Sequence, residues 1–470
     1  MFPDTVANLI DEQVTSPGTG KWLGKLRPTD ETPLCRVARS GADDVAAAVE
    51  AARRAQPEWA ERRAVARGEL VREIALLLRE SRQELSEAVV EETGKLLELA
   101  SGETDAAIEM GLFVSGEGRR YYGRTTTASM AHRTVMAVRQ PVGIAGLIVS
   151  FDTPLPNVAW KVFPVIFCGN AAVLKPSEEA PLSAHLFAGV CADAGLPSGV
   201  LNVVQRLGSE AGAALVEHPG VDLVSFTGSA ATGRWIAEMA GRRLAKVCLE
   251  LGGKNARVVC DDADLENSVR WAVASAFSNA GQRCASASRI VVFDAVDEEF
   301  RDRFVEAARS YEDARPLISE GALERILGAL DGAVVLCGGE RLERPGWWLA
   351  PTVLESVDPE TELSRTELFG PVTILFRARD FDHALSIVND SPYGLTASVH
   401  TQSLHRAMRF AEKVQAGVVV VNGGTHGSEP HMGFGGVKQS VTGWREAGVE
   451  ALDVYSDWKY ANLIADPSRV

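Results

Sequence analysis

The sequence predicts an α/β protein with two parallel-sheet halves, because short apolar runs alternate with stretches of helical periodicity. In the first half, strands are predicted at 144–149, 171–174, 201–204 and 223–226. Helices are predicted between them near 155–168, 181–194 and 209–216. A second series of strands is predicted at 256–259, 289–293, 334–336, 372–376 and 418–421. The boundary between the halves, near residue 250, is inferred from motifs and not from a change in composition.

The region before the first strand series is predicted to be helical. Residues 42–60 form one helix, because Asp43 or Asp44 can cap it and small apolar residues recur at helical spacing. Residues 66–99 form a longer helical stretch with leucines on one face. Between 119 and 140, threonine and valine are frequent, which favours an extended β segment over a core helix.

Composition excludes several classes of function. The chain has 470 residues, of which 46% are hydrophobic and 24% charged, as in ordinary globular proteins. Lys plus Arg number 48 and Asp plus Glu 63, giving a net charge of −15. Nucleic acid is therefore not an expected partner, since affinity for phosphates comes from Lys and Arg. We find no apolar run of the roughly 18 residues that a membrane span needs, so no membrane partner is expected.

Cysteine and histidine usage indicates a reducing compartment and no metal site. The seven cysteines are odd in number, widely spaced and without a CxxC pair, so a disulfide framework or a structural zinc site is not expected. The eight histidines include no HxxxH pair. The start of the chain lacks a basic region followed by an apolar stretch, which argues against a secretory signal. A cytoplasmic location is expected.

Two motifs are suited to binding a dinucleotide. In 223–233 an apolar strand runs into a Gly/Ser turn that opens a helix, and such a turn presents N–H groups and a favourable dipole to a phosphate. In 173–178 a strand ends at Lys175 and Glu178, which can reach ribose hydroxyls. A carboxylate there would favour NAD and repel the extra phosphate of NADP. Taken alone, the first motif is more readily interpreted as an ordinary βα turn, and the second as a solvated loop pair.

Two further motifs are suited to nucleophilic and base catalysis. Cys284 lies between a Gly-containing turn and small residues that leave room for a substrate, and a following helix start or a cationic neighbour would lower its thiol pKa. Glu250 is flanked by apolar residues and two glycines, as a general base with a raised pKa would be. The other six cysteines are interpreted as structural, and Glu250 without Cys284 would be a strand-end residue.

In this order and spacing, the four motifs resemble the aldehyde dehydrogenase superfamily, over about residues 15 to 460. Further matches are Glu367-Leu368-Phe369-Gly370-Pro371-Val372, Tyr393-Gly394-Leu395-Thr396-Ala397 and Phe434-Gly435-Gly436-Val437-Lys438-Gln439-Ser440. The resemblance implies a NAD-binding domain at 1–118 and 142–250, and a catalytic domain at 251–450. It also implies a β oligomerisation arm at 119–141 and 451–470, which would join a homodimer or homotetramer.

The resemblance also implies a reaction and its residues. Cys284 would attack an aldehyde, hydride would pass to NAD, and Glu250 would activate water to hydrolyse the thioester. Lys161 and Glu446 match a pair thought to relay protons from this base. The implied cofactor-binding residues are Val149, Ser150, Phe151, Lys175, Ser177, Glu178, Gly208, Phe226, Ser229, Thr232, Leu251, Glu367 and Phe369. The implied substrate-side residues are Asn157, Trp160, Arg283 and Phe434. Trp160 and Phe434 can also be read as core packing, and Arg283 as pointing outward.

The main departure from the family is Asp152, which stands where an Asn usually donates its amide to the oxyanion. Losing one oxyanion donor costs on the order of 10²–10³ in rate, roughly 3–4 kcal/mol. An ionised Asp152 would also repel the thiolate. Either Asp152 is kept protonated and donates a hydrogen bond, or it holds a cationic substrate such as an iminium or amine.

These departures leave alternatives open. Gly433 and Val441 replace a Pro and a Gly of the family's C-terminal motif, and Val441 cannot readily take a positive φ. The alignment is therefore uncertain near Glu446. The first hypothesis is a NAD-dependent aldehyde dehydrogenase that makes a carboxylic acid. The alternative is a degenerate or repurposed member that binds cofactor with little oxidation activity, or that does non-redox chemistry on an imine or amine. Acyl transfer to coenzyme A is less favoured, because Glu250 is present to activate water.

Overall fold

The structure, a computed structural model, describes residues 2–355, 361–465 and 468. The strands are β1 (Thr5–Val6), β2 (Asn8–Ile10), β3 (Gln13–Thr15), β4 (Trp22–Leu26), β5 (Pro33–Ala38), β6 (Arg124–Thr127), β7 (Arg133–Pro141), β8 (Ile144–Ile148), β9 (Ala171–Lys175), β10 (Leu201–Val203), β11 (Leu223–Gly228), β12 (Lys246–Leu251), β13 (Asn255–Val259), β14 (Ala287–Phe293), β15 (Val335–Cys337), β16 (Thr352–Leu354), β17 (Val372–Ala378), β18 (Tyr393–Gly394), β19 (Thr396–His400), β20 (Val418–Val421), β21 (Val437–Lys438) and β22 (Ser456–Ile464).

The helices are α1 (Ala42–Glu61), α2 (Ala64–Glu80), α3 (Arg82–Thr93), α4 (Leu97–Ser115), α5 (Pro154–Phe167), α6 (Pro181–Asp193), α7 (Ala213–Glu217), α8 (Ala230–Gly241), α9 (Leu265–Phe277), α10 (Asp297–Arg309), α11 (Glu320–Ala329), α12 (Glu362–Arg365), α13 (Phe381–Asn389), α14 (Leu404–Lys413) and α15 (Ala451–Val454). Single turns of other helix types lie at Gly116–Arg119, Gly208–Gly212 and Ser278–Gly281.

Two large sheets confirm the predicted pair of α/β halves. The first has the order β12-β11-β8-β9-β10-β2-β3, and its strands from β12 to β10 are parallel. The second has the order β15-β16-β17-β14-β13-β19-β20, and all its pairs except β15–β16 are parallel. The inner strands β8, β9 and β13 are buried along their whole length, because helices cover both faces of a parallel sheet.

A smaller antiparallel sheet has the order β22-β7-β6 and uses both segments of the predicted arm. The strands β7 and β22 pair without a break from Pro141 opposite Ser456 to Arg133 opposite Ile464. Several of its large apolar side chains are exposed, among them Tyr460, Leu463 and Ile464. Residues 466–467 and 469–470 of the predicted arm lie outside the described residues.

The stretch predicted to be helical over 66–99 is helical in the structure, but it is divided among three helices. The chain breaks between α2 and α3 at Ser81, and again at Gly94, which ends α3 with a φ of 75°. That left-handed turn suits glycine, and a Cβ there would lie 2.5 Å from the ring of Pro316. The following helix, α4, continues to Ser115. The sequence analysis also missed β19, a buried central strand, because Thr396, Ser398 and His400 do not read as an apolar run.

Within the described residues, none of the helices is long and apolar enough to cross a bilayer. The carboxyl ends of β8, β9, β11 and β12 lie at one edge of the first sheet, where open α/β sheets bind their ligands. The loop leading into β14 brings the second half to the same edge, because Cys284 of that loop contacts Asp152, which follows β8.

Candidate active site

A cleft of about 620 Å³ joins the two halves at this edge. It brings together these sequence-predicted residues: Ser150, Phe151, Asp152, Ser229, Glu250, Leu251, Cys284, Glu367 and Phe369. Other lining residues belong to the predicted motifs but were given no role there: Thr227, Gly228, Ala230, Ala231, Gly252 and Tyr393. The lining residues outside those motifs are Arg234, Arg325 and Thr366. A cleft of this size is typical of a small-molecule or cofactor site.

Cys284 is presented by a strained loop just before β14. Asn279, Ala280 and Gly281 all have positive φ, of 55°, 52° and 63°. A Cβ on Gly281 would lie 2.2 Å from the carbonyl oxygen of Gly370, so the loop can approach that backbone only with glycine. Asn255 Nδ2 donates to the carbonyl of Cys284 at 2.7 Å. The Cys284 thiol is therefore held at a fixed place, partly exposed to the cleft, while the other six cysteines are buried.

The expected lowering of the Cys284 pKa is wrong. Cys284 is followed by a strand instead of a helix start, so no helix dipole favours its thiolate. Burial raises the pKa of the Cys284 thiol well above its ordinary value, and the nearby carboxyl groups of Asp152, Glu250 and Glu367 raise it further. The resting form of the nucleophile is the thiol.

Asp152 lies directly against the nucleophile and is 2% exposed. Its Oδ2 accepts the main-chain N–H of Cys284 at 3.3 Å, and its Oδ1 accepts from Asn157 Nδ2 at 3.1 Å. Both oxygens act as acceptors, as in a carboxylate. The Cys284 N–H is the donor that the family resemblance assigns to the oxyanion, so Asp152 and a substrate oxyanion compete for it.

The main chain of Asp152 is held from two sides. Lys95 Nζ donates to its carbonyl oxygen, and Asn279 Nδ2 does so at 3.4 Å. Lys95 also pairs with both carboxyl oxygens of Glu103, at 2.6 and 2.8 Å. The sequence analysis missed these residues, because an isolated Lys and Glu in a helical stretch read as solvated charges. Both are in fact buried.

Glu250 ends β12 and lines the cleft together with Cys284. Among the residues that the structure describes, no hydrogen-bond partner contacts either oxygen of its carboxyl group. Burial raises the pKa of Glu250 well above its ordinary value, and the charges of Glu446 and Asp152 add to this shift. An unpartnered buried carboxyl group costs free energy unless a ligand or water satisfies it, so the group fits a base that acts on a bound water.

Lys161 and Glu446 form a buried ion pair. Lys161 Nζ also donates to Ser225 Oγ at 3.0 Å, and Ser225 Oγ lies 3.0 Å from the hydroxyl of Tyr455. Glu446 is held in register by two main-chain hydrogen bonds to Phe434, at 2.6 and 2.8 Å. The two residues that the resemblance pairs are thus in contact in the structure.

The substitution at Val441 carries no backbone penalty. Val441 is absent from the positive-φ residues of the described chain and forms a bridge opposite Glu250. The positive φ nearby falls instead on Lys438 and Gly443. The expected strain at Val441 is therefore wrong.

Glu367 is bonded to the short segment that follows β12, the strand that carries Glu250. Its Oε1 accepts the N–H of Gly253 at 3.0 Å. A Cβ on Gly252 would lie 1.8 Å from its Oε2, so the close approach requires glycine. Burial raises the pKa of Glu367 to about 7. Beside it, the ring of Phe369 meets that of Phe151 edge to face, with the centroids 5.7 Å apart.

The turn between β11 and α8 fits a phosphate group. Ser229 caps α8 by accepting the N–H of Thr232 at 3.2 Å. A Cβ on Gly228 would lie 2.5 Å from the ring of Phe226, so the backbone before the helix stays bare. In the same way, Gly233 leaves space for Leu251, whose side chain lies 2.5 Å from a Cβ built there. The bare turn and the helix dipole suit a pyrophosphate.

Lys175 and Glu178 pair at 2.8 Å at the carboxyl end of β9. Burial lowers the pKa of Lys175. Burial acts to raise the pKa of Glu178, but Lys175 and a hydrogen bond from the backbone of Gly208 outweigh it, so the pKa is lowered. Glu178 is therefore a carboxylate that faces Gly208.

The remaining cofactor-side residues belong to the same edge. Val149 donates its N–H to the carbonyl of Lys175 at 3.2 Å, and Ser177 Oγ accepts the N–H of Glu179 at 3.2 Å. The edge carries, in order, Lys175, Glu178, the Ser229 turn and Glu367. Together these residues fit a dinucleotide.

Trp160 and Phe434 pack together with ring centroids 5.4 Å apart, and neither residue lines the cleft. Phe434 is buried, and Trp160 packs against the hydrophobic core. Asn157 is buried, and its side chain donates to Asp152. Arg283 donates to Ser278 Oγ at 3.2 Å. Burial and the charge of Arg283 lower the pKa of His426 to about 4. The four residues that the resemblance assigns to the substrate side thus include two aromatic rings, an amide and a guanidinium group.

Comparisons with known proteins agree with this geometry. A family model described as the aldehyde dehydrogenase family matches residues 15–461. The α-ketoglutaric semialdehyde dehydrogenase of Bacillus subtilis is 33% identical over 472 residues, which cover 96% of this chain and 97% of that protein. The α-ketoglutarate semialdehyde dehydrogenase of Haloferax volcanii is 35% identical over 472 residues, covering 96% and 98%. The structure of Staphylococcus aureus betaine aldehyde dehydrogenase in complex with NAD+ superposes with a TM-score of 0.96 at 29% identity, covering 99% of this chain and 96% of that one.

Proposed function

The chain belongs to the aldehyde dehydrogenase family and oxidises aldehydes, and on that premise we propose that it uses NAD and forms a thioester on Cys284. The observation that carries the proposal is that Cys284 and the unpartnered carboxyl group of Glu250 line one cleft. A nucleophile and a free base on either side of a substrate are what acylation and hydrolysis require.

In the first half-reaction, the Cys284 thiolate forms a bond to the aldehyde carbon, and the carbonyl electron pair moves to oxygen. A bound NAD would supply the acceptor for the hydride that leaves this carbon, after which a thioester remains on Cys284. In the second, Glu250 takes a proton from water, the water oxygen attacks the thioester, and the carbon–sulfur bond breaks. The products are a carboxylic acid and the Cys284 thiolate.

Glu250 must pass on the proton that it takes from water. Glu446 lies close enough to act on its pKa and is paired with Lys161, which reaches Ser225 and through it Tyr455. These contacts support a relay from Glu250 through Glu446 and Lys161 to Ser225 and Tyr455.

NAD is the proposed coenzyme in preference to NADP. Lys175, Ser177, Glu178 and Gly208 would hold the adenosine ribose, Ser229 and Thr232 the pyrophosphate, and Glu367 with Phe369 the nicotinamide ribose. The lowered pKa of Glu178 keeps a negative charge where the additional phosphate of NADP would lie.

The arm is proposed to join copies of the chain into a homodimer or homotetramer. The exposed apolar residues of the β22-β7-β6 sheet support this, because edge strands with such residues are suited to pairing. A cytoplasmic location is supported by the seven cysteines, none of which is in a disulfide in the described chain.

The substrate is proposed to be an aldehyde with a polar tail. The relatives above act on semialdehydes and on betaine aldehyde. The aromatic pair of Trp160 and Phe434 and the cation of Arg283, which the resemblance assigns to the substrate side, support a tail of mixed character. The alternative of a member without oxidation activity is not favoured, because these relatives are named aldehyde dehydrogenases.

The proposal is tested with purified protein, NAD and a panel of semialdehydes and ammonium aldehydes, by following the absorbance of reduced nicotinamide. We expect turnover with part of the panel and none in the Cys284→Ala variant. The variant should still bind NAD with nearly unchanged affinity. Equal turnover in both proteins would exclude Cys284 as the nucleophile.

A further inference from the structure

We propose that Asp152 accepts the proton of the Cys284 thiol and then, as a carboxylic acid, donates that proton as a hydrogen bond to the substrate oxyanion. The inference rests on the proposed function only in that Cys284 is the nucleophile. It gives Asp152, which stands where the family usually has an Asn, a function in the reaction.

The Asp152 carboxyl group lies close to Cys284. Asp152 Oδ2 is 3.3 Å from the main-chain nitrogen of Cys284, and both residues line the cleft. The other oxygen is fixed by Asn157, and the main chain is held by Lys95 and Asn279. The carboxyl group therefore stands beside the nucleophile in one orientation, as a proton acceptor must.

The other carboxyl groups of the cleft are less suited to accept the thiol proton. Neither carboxyl oxygen of Glu250 has a hydrogen-bond partner among the described residues, and Glu250 is the proposed base for the hydrolytic water. Glu367 is turned toward the N–H of Gly253. Of the three carboxyl groups that line the cleft, Asp152 is the one hydrogen-bonded to Cys284.

The negative charges of the Cys284 thiolate and of Asp152 also favour the proton transfer. A thiolate facing an ionised Asp152 would put two negative charges into one poorly solvated place, which is why the carboxylate raises the thiol pKa. Moving the proton from sulfur to Asp152 leaves the pair with a single negative charge throughout. The other charged groups that face the pair are Lys95, Glu103, Glu250, Arg283, Glu367 and Glu446. Lys95 is neutralised by Glu103, and Glu446 is paired with Lys161.

The transfer also resolves the competition for the Cys284 N–H. The S–H bond breaks, its electron pair stays on sulfur, and the proton bonds to Asp152. The sulfur pair then forms the bond to the carbonyl carbon, and the carbonyl π pair moves to oxygen. A neutral carboxyl group is a weaker acceptor than a carboxylate, so the N–H turns to the new oxyanion, and the Asp152 O–H supplies the second donor. When the carbon–sulfur bond later breaks, the thiolate takes the proton back.

The test is the alkylation of Cys284 by iodoacetamide without coenzyme or aldehyde, followed by mass spectrometry of its peptide from acidic to alkaline pH. Because the other cysteines are buried, the label reports Cys284. If the thiol and Asp152 share the proton, the alkylation rate should form a plateau across neutral pH. The plateau rate should be about tenfold or more above the rate extrapolated from the alkaline limb, where tenfold corresponds to one pH unit. The Asp152→Asn variant should lose the plateau and show a single ionisation, and the Glu250→Gln variant should keep the plateau.

A single ionisation in the wild-type protein would overturn the proposal, and so would a plateau that survives in Asp152→Asn but is lost in Glu250→Gln. Should Asp152→Asn fail to fold, judged by circular dichroism, a plateau in both the wild type and Glu250→Gln supports the proposal and its absence from the wild type refutes it. The assay needs no turnover, so these outcomes leave aldehyde oxidation itself untouched. A Cys284 that resists alkylation at every pH would instead contradict the proposed function.

Discussion

Glu367 Oε1 accepts the N–H of Gly253 at 3.0 Å, and this bond holds Glu367 against the segment that follows Glu250 at the end of its strand. The proposed holder of the nicotinamide ribose and the proposed base are thus positioned by one stretch of backbone. A change in this stretch should disturb coenzyme binding and hydrolysis together.

The Gly252→Ala variant tests this connection. Its Cβ would lie 1.8 Å from Glu367 Oε2, so Glu367 has to move. We expect NAD affinity and turnover each to fall by on the order of tenfold or more, about 1.4 kcal/mol, measured by titration calorimetry and steady-state kinetics. The matched control is Gly102→Ala in α4, where a Cβ would meet no atom within 4 Å. An effect of equal size in both variants would contradict the account.

NAD affinity should depend on pH through Glu367. Because burial raises the pKa of Glu367 to about 7, the carboxylate that accepts ribose hydroxyls forms only as the pH rises through that value. We therefore expect the dissociation constant of NAD to fall as the pH rises from acidic to mildly alkaline. The Glu367→Gln variant should bind more weakly and without this dependence. A dependence that remains in Glu367→Gln would assign the titration to another group.

Coenzyme preference should depend on Glu178. Removing its charge with Glu178→Gln should lower the ratio of kcat/KM for NAD over NADP by on the order of tenfold, because one repulsion of the extra phosphate is lost. The neighbouring Glu179→Gln is the control, since Glu179 pairs with Lys25 at 2.7 Å and not with the adenosine side. If both variants shift the ratio equally, Glu178 does not select the coenzyme.

The buried pair of Lys161 and Glu446 should affect stability and hydrolysis separately. Lys161→Met leaves Glu446 buried without its cation and should cost about 3–5 kcal/mol of unfolding free energy in urea titrations. Adding Glu446→Leu should restore much of that stability, because apolar pairs can replace buried ion pairs. Hydrolysis of the thioester should stay slow in the double variant. Normal hydrolysis of the thioester in the double variant would exclude the proposed proton relay through Lys161 and Glu446.

Much of the fold could be predicted, because its strands are continuous apolar runs between helices. The strand Ile144–Ile148 and its partner Ala171–Lys175 lie within about a residue of the predicted ranges. The strand Thr396–His400 could not be found in this way, since its polar side chains are satisfied only by neighbours that the fold supplies. The breaks at Ser81 and Gly94 were missed because helical periodicity continues on both sides of them.

The candidate site was predicted in its parts but not in its contacts. Cys284 stands out because it lies between a Gly-containing turn and small residues, and Glu250 because apolar residues and two glycines flank it. That Asp152 takes the N–H of Cys284 depends on side-chain orientation, which residue type alone does not determine. Lys95 and Glu103 belong to the site only because the chain folds them under Asp152.

The central claim is that aldehyde carbon becomes bonded to Cys284 and that Glu250 releases it. The most direct measurement is to mix the Glu250→Gln variant with NAD and a substrate aldehyde, quench in acid, and determine the mass of the Cys284 peptide. We expect one acyl group per chain on this peptide and a single burst of reduced nicotinamide without further turnover. An unmodified Cys284 peptide, or an acyl group on another residue, would contradict the account.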